Sequence, residues 1–130
     1  ICIFIEIIIG TEIRGGLDMS RKENPLIEGV ILLKMLGPFK YIHTILGLSL
    51  LGLTVYLWKI INDNKFISSS FMVNSVNFIM GLIITQIILG EALVFLEVKP
   101  LMQLFHMWFS SILVGLSVAT YTFHRISVQQ

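Results

Sequence analysis

Long apolar runs separated by short polar links set the pattern of the chain. Three runs, Tyr41 to Ile61, Ser70 to Phe95 and Leu101 to Phe123, are each long enough to cross a bilayer as a helix, which takes about 20 residues at ~1.5 Å rise each. A fourth run, Ile1 to Gly10, is apolar apart from Glu6 and too short to span, so it reads as a helix cut in its middle. It has no basic n-region and does not read as a signal peptide.

The links differ in character. Thr11 to Lys40 is long and mixed, holding Glu12, Arg14, Asp18, Arg21, Lys22, Glu23 and Glu28. Gly15-Gly16 is expected to break any helix continuing from the first run. Ile27, Val30, Ile31 and Met35 are spaced to give one apolar face of a short surface helix that ends near Gly37-Pro38. Asn62 to Ser69 is short and polar, and the link around Glu97-Lys99-Pro100 is shorter still, with Pro100 suited to a helix start. Short links make the last three helices antiparallel neighbours. The predicted fold is therefore an all-α integral membrane protein, a single four-helix transmembrane unit over 1–130 whose first helix is truncated. A faint echo divides it: Ile7-Ile8-Ile9-Gly10-Thr11-Glu12 is similar to Ile87-Ile88-Leu89-Gly90-Glu91-Ala92, and each copy precedes a helix with an early His.

Composition agrees with the pattern. Of 130 residues, 55% are hydrophobic and only 13% charged, where soluble domains carry about 25%. The mean hydropathy is +0.88. A net charge of +1 with no basic tract gives no sign of nucleic-acid binding. Cys2 is the one cysteine, so an internal disulfide cannot form, covalent c-type haem attachment and structural zinc are not expected, and it reads as a small apolar side chain.

Candidate chemistry lies in the few polar residues of the apolar runs, because such residues are costly in a bilayer. They are Glu6, His43, Gln86, Glu91, Gln103 and His106. His43 stands near the start of the second run and His106 near the start of the fourth. One intervening span makes those two helices co-oriented, so both imidazoles fall in the same leaflet at roughly 3–9 Å depth. Two facing imidazoles at matched depth are what a bis-His b-type haem requires. Zinc remains open, with Glu91 or Glu97 as further ligands. Interfacial histidines are the plainer alternative. His124 lies at the far end of its helix and cannot join the pair.

Arg14, Arg21, Lys22, Lys34, Lys40 and Lys99 fall on the histidine side, against Lys59, Lys65 and Arg125 on the other. Such cations suit propionate carboxylates. By the positive-inside rule, the same bias places the histidine side in the cytoplasm. Gly47, Gly52, Gly81, Gly90 and Gly115 permit close approach of helices. Phe105, Trp108 and Phe109 flank His106, and Met35, Met102 and Met107 are weak ligand candidates.

Taken together, these segments resemble the heme A synthase family, in its C-terminal four-helix half. Gly10-Thr11-Glu12-Ile13-Arg14 is similar to the family's G-T-x-V-R segment, and His43 to a family haem-ligand position. Gln86-Ile87-Ile88-Leu89-Gly90 is similar to its Q-x-x-L-G stretch, followed by Gln103-Leu104-Phe105-His106 in the last helix. Gly15 stands where an acid often follows the Arg, Thr44 where an Arg commonly follows the His, and Lys40 where the catalytic half carries a Glu. The Lys40 departure favours the cofactor-holding half.

The resemblance implies an eight-helix pseudo-symmetric oxidoreductase that converts heme O to heme A by oxidising a methyl group to a formyl group. This chain would hold a haem b for electron transfer, with His43 and His106 as axial ligands and Arg14, then Lys40 and Lys99, as propionate partners. The catalytic residues would lie in an N-terminal half or a second copy. Heme O synthase, terminal oxidase assembly and membrane lipid are the implied partners. The implied location is a bacterial cell membrane or the mitochondrial inner membrane, with the histidines on the outer side, opposite to the charge-bias reading. A non-catalytic bis-His membrane cytochrome or assembly subunit, and a proton-relaying transporter fragment, are the competing functions.

Overall fold

A computed structural model describes residues 2–27, 29–63, 69–95 and 99–129. It is all-helical: α1 Cys2–Glu23, α2 Gly29–Met35, α3 Phe39–Asp63, α4 Ser70–Phe95 and α5 Pro100–Gln129. The stretches 64–68 and 96–98, with Glu97 and Lys65, and Glu28 in the first link, lie outside the described residues. Phe39–Asp63, Ser70–Val94 and Pro100–Ser127 are long and apolar enough to cross a membrane, which makes the chain a helical membrane protein.

Local chemistry sets the helix starts. Ser69 begins α4, its hydroxyl accepting from Met72 N at 3.3 Å and its carbonyl from Val73 N at 3.1 Å. Pro100 opens α5, where its missing N–H costs nothing, and Lys99 O accepts from Gln103 N at 3.2 Å. Gly37 takes φ +65° just past α2, and Pro38 O then accepts from Tyr41 N and Ile42 N to start α3. Within the spans, hydroxyls bond back to the carbonyl four residues earlier: Thr54 Oγ1 donates to Leu50 O at 2.9 Å and Ser117 Oγ to Leu113 O at 2.7 Å.

One expectation about the first link is corrected. The chain does not leave its helix near Gly10, because α1 runs through Gly15-Gly16 to Glu23. Helical glycine costs about 1 kcal/mol, which tertiary contact can offset. A Cβ at residue 16 would lie 2.5 Å from Leu36 Cδ2, so Gly16 lets the α2–α3 link settle against α1. The short helix exists, and it is held to α1 by its Leu32 side. Leu32 is fully enclosed and packs with Leu17, Ile13, Ile27 and Leu36, whereas Ile31 and Met35 are exposed. The α5 helix also extends six residues beyond the expected end at Phe123.

The long helices pack in sequence, α1 on α3, α3 on α4 and α4 on α5, and α1 reaches α5 to close the ring. This leaves α3 and α5 diagonal to one another. Leu82, Ile83 and Leu113 form the core, with Ile3, Leu51, Ile79, Ile87, Phe109 and Leu116 around them. The outer faces are apolar and exposed, for example at Leu48, Leu53, Ile84, Ile88 and Ile112, as lipid-facing surfaces are. At the end away from the histidines, Trp58 Nε1 donates to Asn77 Oδ1 at 2.7 Å and ties α3 to α4.

Candidate functional site

The diagonal placement of α3 and α5 brings His43 and His106 together across the bundle. Their ring centroids are 6.5 Å apart and the ring planes meet at 65°. Each Nδ1 is buried without an aligned hydrogen-bond partner.

Each ring rests on a glycine of the neighbouring helix. A Cβ on Gly10 of α1 would meet His43 Cε1 at 3.3 Å, and one on Gly90 of α4 would meet His106 Cε1 at 3.8 Å. The echo between the Gly10 and Gly90 segments is thus two copies of one packing device. It extends further than the sequence reading placed it. Glu6 and Gln86 each stand one turn before their glycine, and Gly47 and Ser110 one turn after their histidine. Glu6 Oε1 lies 3.0 Å from His43 Nδ1, off the line of the ring N–H, and 3.2 Å from where a Cβ on Gly47 would sit. On the other side, Gln86 Nε2 donates to His106 O at 2.7 Å and to Ser110 Oγ at 2.9 Å. Ser110 Oγ in turn donates to His106 O at 2.9 Å. The carbonyl needs a donor, which fixes the orientation of the Gln86 amide. These partner residues were visible only as polar residues in apolar runs, and their register against the glycines was the available signal.

The cations divide. Arg14 reaches α5, where Nη1 donates to Met107 Sδ beside His106, and Nε lies 3.8 Å from Asp18 Oδ2 one turn along α1. Lys40 Nζ lies 4.6 Å over the neighbouring Tyr41 ring, and Lys99 is exposed at the head of α5. His124 is exposed and, eighteen residues past His106, roughly 27 Å along the helix.

Donor geometry separates the metal readings. A histidine nitrogen binds a transition metal at ~2.0 Å, so two trans ligands hold their ring centroids about 6.3 Å apart and two tetrahedral ligands about 5 Å apart. The observed 6.5 Å is closer to the wider of these spacings than to the narrower. Among the described residues, no group of three His, Cys, Asp or Glu side chains is arranged to hold a metal ion. Glu91 is exposed, and Glu97 lies outside the described residues. His43 and His106 are the two residues that would hold a haem iron at this place. Two open clefts, of about 440 Å³ beside Glu12 and Phe39 and about 460 Å³ beside Phe4 and Tyr121, lie elsewhere and contain neither histidine in their linings.

Set against protein-family models, curated proteins and solved structures, the chain finds no match in any of the three comparisons.

Proposed function

We propose that this chain is the haem-holding unit of a membrane oxidoreductase of the heme A synthase type, with His43 and His106 as axial ligands of a b-type haem. The observation that carries the reading is the 6.5 Å separation of two imidazoles brought together from diagonal helices. Bound there, a haem b supplies one-electron transfer. The chain's own residues do the rest. The Gly10 and Gly90 backbones leave the rings room to stand edge-on to the neighbouring helices. Gln86 fixes the backbone from which His106 projects. Arg14, beside Met107, is the propionate partner best supported by position, with Lys40 and Lys99 at the same end.

The two parts of the proposal have different supports. Haem holding is supported by side-chain geometry. Oxidation of the heme O methyl group to a formyl group is supported by the resemblance in Gly10 to Arg14 and Gln86 to Gly90, and it requires a second four-helix unit, from an N-terminal half or another copy of this chain. Heme O synthase and the terminal oxidase assembly route are then the neighbouring steps, in a bacterial or mitochondrial inner membrane. A bis-His cytochrome without that activity would need only the geometry.

The test is reconstitution of the detergent-solubilised chain with iron protoporphyrin IX, read by its Soret and low-spin ferric spectra. His43→Ala and His106→Ala each remove the low-spin species, and His124→Ala retains it. Equal spectra in all three variants refute the ligand assignment. A low-spin haem without heme A formation, in a strain that supplies heme O and the full assembly, leaves the cytochrome reading.

A further inference from the structure

The two histidines of the pair have unequal partners. Behind His43 stands a carboxylate, with Glu6 Oε1 3.0 Å from Nδ1 and the Glu6 side chain only 15% exposed. At the matching turn beside His106 stands a carboxamide, and Gln86 spends its N–H groups on the His106 carbonyl and on Ser110. A carboxylate within an apolar helix run is costly without a partner. Glu6 Oε2 has no hydrogen bond, so the His43 ring is the one polar group the carboxylate meets at hydrogen-bonding distance among the described residues.

Histidine bound to a metal through Nε2 carries its proton on Nδ1, and an acceptor at that proton fixes the tautomer and increases the ligand's donor strength. We infer that Glu6 is the positioning residue of the haem site: its carboxylate stands 3.0 Å from Nδ1 but off the N–H line, and a turn of the ring on ligation would complete the bond that keeps Nδ1 protonated and Nε2 free, making His43 the stronger donor of the two histidines. Gly47 belongs to the same device. Any larger residue there would crowd Glu6 Oε1, since a Cβ would already stand at 3.2 Å. A ligand of greater donor strength stabilises ferric over ferrous iron, so Glu6 lowers the reduction potential of the site. This inference rests on the proposed haem ligation by His43 and His106.

The experiment uses the whole chain loaded with iron protoporphyrin IX, comparing wild type with Glu6→Gln and Glu6→Asp. Low-spin haem content, ferric electron paramagnetic resonance and the midpoint potential are measured on each. Glu6→Gln keeps the shape and loses the charge. It is expected to bind haem, to shift the low-spin resonance pattern, and to move the ferric–ferrous equilibrium about tenfold toward ferrous, a rise of ~59 mV for one electron. Glu6→Asp keeps the charge on a shorter arm and is expected to fall between wild type and Glu6→Gln, which a purely structural role would not produce. Full haem loading with wild-type potentials and resonances in both variants overturns the role of Glu6 and leaves the histidine ligation standing. Equal shifts in the two variants also overturn it, because only Glu6→Gln removes the charge. If Glu6→Gln does not fold, an unchanged potential in Glu6→Asp decides against the role. Wild-type protein that takes up no haem overturns the ligation itself, and this inference with it.

Discussion

Gly10 and Gly90 occupy matching positions in the two helix pairs, yet the same substitution should act differently at each. A methyl group on Gly10 would lie 3.3 Å from His43 Cε1, so the ring must give by a few tenths of an ångström. Its Nδ1 edge already faces Glu6 at 3.0 Å, which leaves little room to retreat. A methyl group on Gly90 would lie 3.8 Å from His106 Cε1, an ordinary contact. Replacing glycine by alanine in a helix gains about 1 kcal/mol, and overpacking typically costs ~1–3 kcal/mol. Gly90→Ala is therefore expected to stabilise the protein by about 1 kcal/mol. Gly10→Ala is expected to range from neutral to about 2 kcal/mol less stable. A displaced His43 also weakens axial ligation, and a loss of ~1.4 kcal/mol corresponds to tenfold weaker haem binding. Denaturation of the detergent-solubilised protein without haem measures the first difference, and Soret titration with iron protoporphyrin IX measures the second. Equal effects of the two alanines on stability, or a greater loss of haem affinity at Gly90, would refute the contact argument.

Three further outcomes can be measured on the same preparation. Gln86→Leu removes the two donations to His106 O and Ser110 Oγ and is expected to cost about 1–3 kcal/mol in unfolding free energy, with low-spin haem content reduced; a haem content equal to wild type would show that the His106 backbone holds its place unaided. Leu32→Ala empties a side chain that is the one fully enclosed among the described residues, and is expected to destabilise the α1–α2 packing by ~2–5 kcal/mol, seen as faster amide exchange in Gly29–Met35 with little change at α5. Arg14→Gln is expected to weaken haem uptake about tenfold or more through loss of a charge-assisted bond of ~1.5–3 kcal/mol, whereas Lys99→Gln, at an exposed position, should do less; the reverse order in a Soret titration would reassign the propionate partner.

Much of the bundle was legible along the chain because lipid imposes a simple rule. A spanning segment must satisfy its backbone internally and present apolar side chains, so the runs from Tyr41, Ser70 and Leu101 emerge as α3, α4 and α5 with ends shifted by a few residues. The first link was less legible because the rule does not hold there. Gly15-Gly16 signals a break by intrinsic propensity, and the contact with Leu36 that accompanies the continued helix is long-range. The packing of Leu32 against α1 was also not legible, since a helix of seven residues offers too little periodicity to show a second apolar side.

The site divides the same way. Sequence alone determined that His43 and His106 share a leaflet, because two co-oriented helices with early histidines leave no other arrangement, and that His124 is excluded by helix length. It also determined that Glu6 and Gln86 needed a reason to be in apolar runs. Only the tertiary structure decided that α3 and α5 lie diagonally, which sets the imidazoles 6.5 Å apart, and that Glu6 is the partner of His43 while Gln86 grips the His106 backbone. Spacing along one helix fixes depth and face. Which residue of another helix stands opposite depends on how the side-chain ridges and glycine notches of the two helices interlock, and no single segment carries that information.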